Sequence, residues 1–218
     1  MLVNWLRDKD AGSISEQRER KLIDEMPGNY PDSREEKVKD DIENGVWRLS
    51  FPTYGQTPGG RVVKYYLSGR LGDRKDLSME EKVDIYAADR KQFKSILNRY
   101  LSFGGIIVCD RYREANLIHQ LVGFEGEEWE KKLEYIKSVD SDLPDADKIF
   151  YLDISPEEAA RRMSDKDKDI HELDQKYMRK SNENGYKVAN YESWSIIDGE
   201  RTPQDVFRDL KSGVNQIV

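Results

Sequence analysis

From Val46 onward short apolar runs alternate with longer amphipathic stretches, and this alternation limits the possible fold more than any other feature of the chain. The runs are Val46 to Phe51, Gly105 to Cys109, Lys148 to Leu152 and Trp194 to Ile197, each ending at a polar or turn-forming residue. Strands separated by helical spacers read as βαβ units, because parallel neighbours need a crossover long enough to hold a helix. Three helix starts carry hydroxyls able to satisfy the first free amides. Ser78 precedes Met79-Glu80-Glu81 as a capping box, while Ser155-Pro156-Glu157 and Thr202-Pro203-Gln204 place a cap before a proline at the first helical position. The expected architecture is α/β, a parallel sheet flanked by helices, over residues 46–218.

Upstream, Asp8 to Asn44 is dominated by Asp, Glu, Lys and Arg and is broken at Pro27-Gly28 and Pro31, so residues 11–45 read as a charged insertion of solvated helix and loop. The whole chain has 218 residues, enough for one sizeable core. Its formal net charge of -7 argues against nucleic acid or an anionic membrane as the main partner. An anionic ligand must therefore meet local clusters of Arg and Lys. The single cysteine, Cys109, lies inside an apolar run and reads as a small buried hydrophobe, in keeping with a reducing cytoplasm. No run approaches the roughly 18 apolar residues of a membrane span.

Asp110-Arg111-Tyr112 follows the second run and places a carboxylate and a guanidinium at the C-terminal end of a buried parallel strand, the edge where open α/β sheets bind ligands. An aspartate there can hold magnesium through water, and an arginine can grip a phosphate by two bonds. A strand-terminating ion pair accounts for the same residues equally well. Asn116, His119 and Gln120 stand at i, i+3 and i+4, one helix face suited to a nucleobase edge or a sugar hydroxyl, or simply a polar surface. Tyr86 and Arg90, also four apart, flank Ala87 and Ala88, whose small side chains let a flat ligand approach; helix packing explains the tyrosine as readily. Gln56-Thr57-Pro58-Gly59-Gly60 reads as a turn-rich loop before a helix. The hydrophilic run between Met163 and Leu173 interrupts the helix begun at Pro156, as either a lid over phosphates or a solvated charge run.

In this order the segments resemble the thymidylate kinase family across residues 46 to 200. The resemblance rests on Phe51-Pro52, Tyr86-Ala87-Ala88-Asp89-Arg90, Asp110-Arg111-Tyr112 with Gln120, Asp153 before Ser155-Pro156-Glu157, Asp169 with Glu172, and Ile197-Asp198. It implies a P-loop type nucleoside monophosphate kinase fold and transfer of the ATP γ-phosphate to dTMP, with Mg2+ as cofactor. By that resemblance Phe51 and Tyr86 line the thymine pocket, Arg90 hydrogen-bonds the base, Gln120 completes the base contacts with Asn116 and His119 nearby, and Arg111 holds the dTMP phosphate. Asp110 sits near magnesium, and Arg162, just before the lid at residues 163–173, reaches the ATP phosphates. Family members pair as homodimers, so a homodimer is expected. Two departures stand out: Ala115 where the family commonly has serine, and His119 where it has a tyrosine that helps exclude a ribose 2′-hydroxyl.

The family's phosphate loop has the form Gly-x-x-x-x-Gly-Lys-Ser/Thr, in which backbone amides and a lysine cradle phosphates. This pattern is absent from the 218 residues. Met1 to Arg7 instead resembles the later turns of the helix after that loop, so residues 1–10 read as a remnant of the first helix, and the first, central strand is missing. The expectation is that the natural gene product extends upstream of Met1 or has lost this segment, since its loss leaves two strand edges unpaired. Two alternatives follow from the same residues: a kinase for another deoxynucleotide, or a nucleotide-binding homologue without catalysis.

Overall fold

A computed structural model describes Met1, Leu2, Trp5 and residues 45–54, 56–72, 76–162 and 175–217. Most of the expected first-helix remnant, the charged insertion up to residue 44 and the lid near residues 163–173 lie outside the described residues. The described elements run β1 (Val46–Ser50), α1 (Pro58–Leu67), α2 (Met79–Lys91), α3 (Lys94–Ser102), β2 (Ile106–Asp110), α4 (Glu114–Gln120), α5 (Gly126–Val139), β3 (Phe150–Asp153), α6 (Pro156–Arg162), α7 (Gln175–Tyr191), β4 (Ser195–Asp198) and α8 (Pro203–Val214). The chain divides into two compact units, one formed by Met1–Glu114 with Lys137–Pro144 and the other by Ala115–Ile136 with Asp145–Val218.

In the first unit β1 and β2 pair in parallel, Val46 opposite Ile106 through Ser50 opposite Asp110. Trp47, Leu49 and Phe51 alternate along β1 and so point to one face. They form a buried cluster with Phe93, Ile96, Leu97 and Tyr100, the last three spaced along one side of α3. The Trp47 ring meets Tyr100 edge-on at 5.7 Å and Phe51 meets Phe93 edge-on at 5.3 Å. Such offset aromatic pairs add about 0.5–1.5 kcal/mol each beyond the area they bury. Helix α2 begins with the anticipated capping box, in which the Glu81 amide donates to Ser78 Oγ at 3.1 Å and the Ser78 amide to Glu81 Oε2 at 2.7 Å.

Two expectations change in this unit. Gly59 and Gly60, read as part of a turn, lie inside α1, which starts at Pro58 with Thr57 as its cap. Their role is close approach: a Cβ on Gly59 would stand 2.7 Å from Asp89 Cα and 2.9 Å from the Ala88 carbonyl oxygen, so α1 crosses the backbone of α2 at a distance only glycine permits. Strand β2, read as buried, has Ile106 to Cys109 only half-buried, because among the described residues it has a single neighbouring strand.

The second unit holds the parallel pair β3 and β4, Phe150 opposite Ser195 through Asp153 opposite Asp198. Leu152 there is 45% exposed although β3 is apolar, again in a two-stranded sheet. Asn184 of α7 accepts from Trp129 Nε1 at 3.0 Å and donates to the carbonyls of Leu117 and Ile118 at 2.9 and 2.7 Å, so one amide joins α5, α7 and the free carbonyls of α4. Asn182 similarly donates to Asp153 Oδ1 at 3.1 Å and to the Ile154 carbonyl at 3.0 Å, holding the end of β3. Among the described residues no helix is long and apolar enough to cross a membrane.

Replacing Gly59 by Ala should destabilise the protein by about 1–3 kcal/mol through overpacking, against the roughly 1 kcal/mol gain that alanine brings to an open helix site. Urea unfolding decides the sign. Burial, and after it the carboxylates of Glu114 and Asp110, push the Cys109 thiol from its ordinary 9.0 up to about 12. Burial, and then Asp153, likewise raise Tyr151 from 10.0 to about 12. Both groups stay neutral in the folded chain while they ionise in the unfolded one, so stability is intact below 9.0 and is lost as pH rises through the interval to about 12. Urea midpoints should therefore fall on moving into that interval, and a Cys109→Ala variant should lose less than the parent chain.

Candidate active site

The triplet after β2 is built so that its second member faces outward. The Tyr112 hydroxyl donates to the Pro144 carbonyl at 3.2 Å, and Arg113 donates to the Leu143 carbonyl at 3.4 Å and to Glu114 Oε1 at 2.9 Å. Between this anchored pair and the strand, Arg111 takes a left-handed backbone with φ of 62° and is exposed, as is Asp110. For a residue with a Cβ that conformation costs roughly 1–2 kcal/mol. Strain of this kind persists where the surroundings enforce it, and it gathers at functional sites.

Beside it, the segment after β1 is fixed to α2 by Asp89. Its carboxylate, 1% exposed, accepts from the Thr53 amide at 2.7 Å, the Thr53 hydroxyl at 2.5 Å and the Thr57 hydroxyl at 2.9 Å. Gln92 extends the network, donating to Thr57 Oγ1 at 3.2 Å and accepting from the Gly59 amide at 3.2 Å. A buried carboxylate is tolerated because charge-assisted hydrogen bonds replace the water it has lost. The Phe51–Pro52 peptide is cis, and Tyr54, with φ of 48°, is exposed at the turn.

Three further residues singled out from sequence lie in the same unit. Tyr86 is half-buried, its ring edge-on to Tyr66 at 6.0 Å, with Ala87 buried and Ala88 exposed next to it. Arg90, 2% exposed, forms an ion pair with Asp140 Oδ2 through Nη2. Arg90 Nε and Asp140 Oδ1 are buried with no hydrogen-bond partner among the described residues. Phe51, 5% exposed, is committed to the core beside Phe93 and Tyr112. Phe51, Tyr86, Arg90, Asp110 and Arg111 all lie in the first unit.

The remaining candidates lie in the second unit. Asn116 and Gln120 are buried, whereas His119 is half-buried and tied to α7: its Nδ1 lies 3.1 Å from Ser181 Oγ and 3.3 Å from the Tyr177 hydroxyl, whose ring stacks on the imidazole at 6.4 Å. Arg162 directs its guanidinium within its own unit, to Glu158 Oε1 at 2.6 Å and to the carbonyls of Gly199 and Glu200 at 2.8 and 2.9 Å. Hydrogen bonds from Arg161 and Arg162 hold the Glu158 carboxyl down at about 2.

Sequence reasoning passed over Thr53, Thr57, Asp89, Gln92 and Asp140. Only Thr57 left a local sign, since Thr57-Pro58 repeats the cap-then-proline pattern of Thr202-Pro203. Asp89 stands inside the Tyr86-to-Arg90 signature without a role of its own, Asp140 looks like an ordinary surface charge, and the partners of both lie far along the chain.

A magnesium ion would find one suitable ligand here, the exposed Asp110 carboxylate. Among the described residues there is no group of three acidic, histidine or cysteine side chains that could cage a metal. Mg2+ keeps several waters and is held by one or two carboxylates together with substrate phosphates, and the exposed Asp110 carboxylate is a ligand of that kind.

The family model described as thymidylate kinase matches residues 36–210. A probable thymidylate kinase of Methanococcus aeolicus is 27% identical over 190 residues, spanning 80% of this chain and 87% of the relative. A thymidylate kinase of Fervidobacterium nodosum is 30% identical over 172 residues, spanning 77% and 83%. The solved thymidylate kinase of Candida albicans, 23% identical, superposes with a TM-score of 0.61 over 78% of this chain and 80% of that one, which shows a shared fold. With most of its length matched by the family model and by relatives of similar extent, the chain belongs to the thymidylate kinase family.

Proposed function

We propose that this protein acts as a dTMP kinase, transferring the γ-phosphate of ATP to dTMP to give dTDP. The observation that carries the reading is the end of β2, where a strained, exposed Arg111 stands next to an exposed Asp110 in a family whose members phosphorylate thymidylate. Arg111 takes the dTMP phosphate, since its planar fork matches two phosphate oxygens and its charge neutralises the acceptor. Tyr86 lies against the base over the small surface of Ala88, and Arg90 donates to a base carbonyl. Phe51 supports them from the core. The resemblance assigns Asn116, His119 and Gln120 to the nucleoside and Arg162 to the donor phosphates, although the Arg162 guanidinium is engaged by the Gly199 and Glu200 carbonyls. Mg2+, when bound near Asp110, neutralises charge on the donor phosphates. The protein's own contribution is positioning and electrostatic stabilisation, which supply most of the rate in phosphoryl transfer. A cytoplasmic homodimer agrees with this role.

A second reading stands beside this one. A homologue that binds dTMP without transferring phosphate would need only the acceptor residues. Titration calorimetry with dTMP and with a non-hydrolysable ATP analogue, together with an assay for dTDP, separates the two. Kinase activity predicts binding of both and formation of dTDP; the binding-only reading predicts the first alone. Comparing dTMP, dUMP, dCMP and thymidine as acceptors tests the substrate, and thymidine as the preferred acceptor would contradict a phosphate-holding Arg111.

Arg111→Gly separates strain from function at one position. Relief of the left-handed backbone, offset by the added freedom of glycine in the unfolded chain, should leave stability unchanged or raised by up to about 1 kcal/mol. Loss of the guanidinium should weaken dTMP binding by about 1.5–3 kcal/mol. Thermal unfolding and calorimetry on the same sample check both halves.

A further inference from the structure

Arg90 and Asp140 are 50 residues apart in sequence, yet their side chains are only 3% and 1% exposed in the ion pair they form. The neighbouring pairs of Asp142 with Lys91 and Lys94 involve side chains at least 40% exposed and lie at the surface. A buried ion pair is a poor way to stabilise a fold, because packed apolar residues of similar volume do as well or better. Its geometry is also unusual for a structural pair. Arginine usually meets a carboxylate with two parallel N–H bonds, whereas here Nη2 meets Oδ2 alone, and Arg90 Nε and Asp140 Oδ1 are buried without partners among the described residues. Buried polar groups nearly always find a partner. The carboxylate is therefore bonded to one corner of the guanidinium, and Arg90 Nε and Asp140 Oδ1 stay without partners among the described residues.

We infer that Asp140 is the positioning residue for Arg90, holding the guanidinium by one corner so that its remaining N–H groups meet the carbonyl edge of a pyrimidine. This rests on the reading above that Arg90 takes the base. Because arginine is a donor only and keeps its charge, the arrangement selects a base that presents an acceptor at that edge. Asp140 itself touches no substrate; it acts through Arg90.

The test is calorimetry on the full chain with two ligands, dTMP and 2-deoxyribose 5-phosphate, which keeps the sugar and phosphate and lacks the base. Asp140→Asn, nearly isosteric, should lower dTMP affinity about tenfold or more and leave 2-deoxyribose 5-phosphate unchanged. Asp140→Glu restores the charge but displaces the guanidinium, and should also weaken dTMP alone, so whichever of the two variants folds gives the answer. Unchanged dTMP affinity, or an equal loss for both ligands, would overturn the positioning role. Arg90→Ala separates the two levels. If the parent chain does not bind dTMP, or Arg90→Ala does not weaken it, the base-reading role of Arg90 fails and Asp140 falls with it. If Arg90→Ala weakens dTMP and Asp140→Asn does not, only the inference about Asp140 fails.

Discussion

The buried carboxylate of Asp89 ties the segment after β1 to the turn of α2 that carries Tyr86 and Arg90. Three donors converge on it from the segment after β1, and each such bond to a charged group contributes about 1.5–3 kcal/mol. Because Asp89 lies between Tyr86 and Arg90 on α2, fixing its carboxylate to Thr53 and Thr57 also fixes the helix turn that presents those two side chains. Thr57 serves twice, as acceptor for the Gly60 amide at the start of α1 and as donor to Asp89. The close crossing at Gly59 follows from the same attachment, since α1 is drawn onto α2 at its first turn. An isolated carboxylate at 1% exposure would be strongly unfavourable; this set of donors compensates its burial and joins the two segments.

Much of the fold was legible in sequence because it depends on local chemistry. The four strands appear within one or two residues of the apolar runs that announced them, and the caps at Ser78, Ser155 and Thr202 form as their side chains allow. What escaped depends on contacts between distant segments. Gly59 and Gly60 look like a turn until the backbone of α2 is placed against them. Asp89 belongs to a recognisable stretch, but neither its burial nor that of Asp140 is legible locally, since both are set by partners 32 to 50 residues away. The exposure of β2 and β3 was illegible for a related reason. An apolar run reports that a strand can be buried, while its actual cover depends on how many strands lie beside it.

The candidate site was legible to a different degree in each unit. Asp110 and Arg111 were found because a polar pair after an apolar strand is a local signal, and the structure adds that Arg111 holds a strained backbone there. His119 was expected on one face with Asn116 and Gln120, and its imidazole is engaged by Ser181 and Tyr177 of α7. Arg162 was expected to reach phosphates, and its guanidinium is occupied by the turn after β4. Family membership and catalytic competence therefore rest on different grounds. The first follows from the match over residues 36–210, while the second requires a donor phosphate site that the glycine-rich pattern would ordinarily provide.

The most direct test of this account is a crystal structure of the full chain with dTMP bound. The account predicts the phosphate on Arg111, the base against Tyr86 with its carbonyl edge toward Arg90, and the Asp89 network unchanged from the free chain. A nucleotide seated away from the end of β2, or one bound there with its base turned from α2, would contradict it.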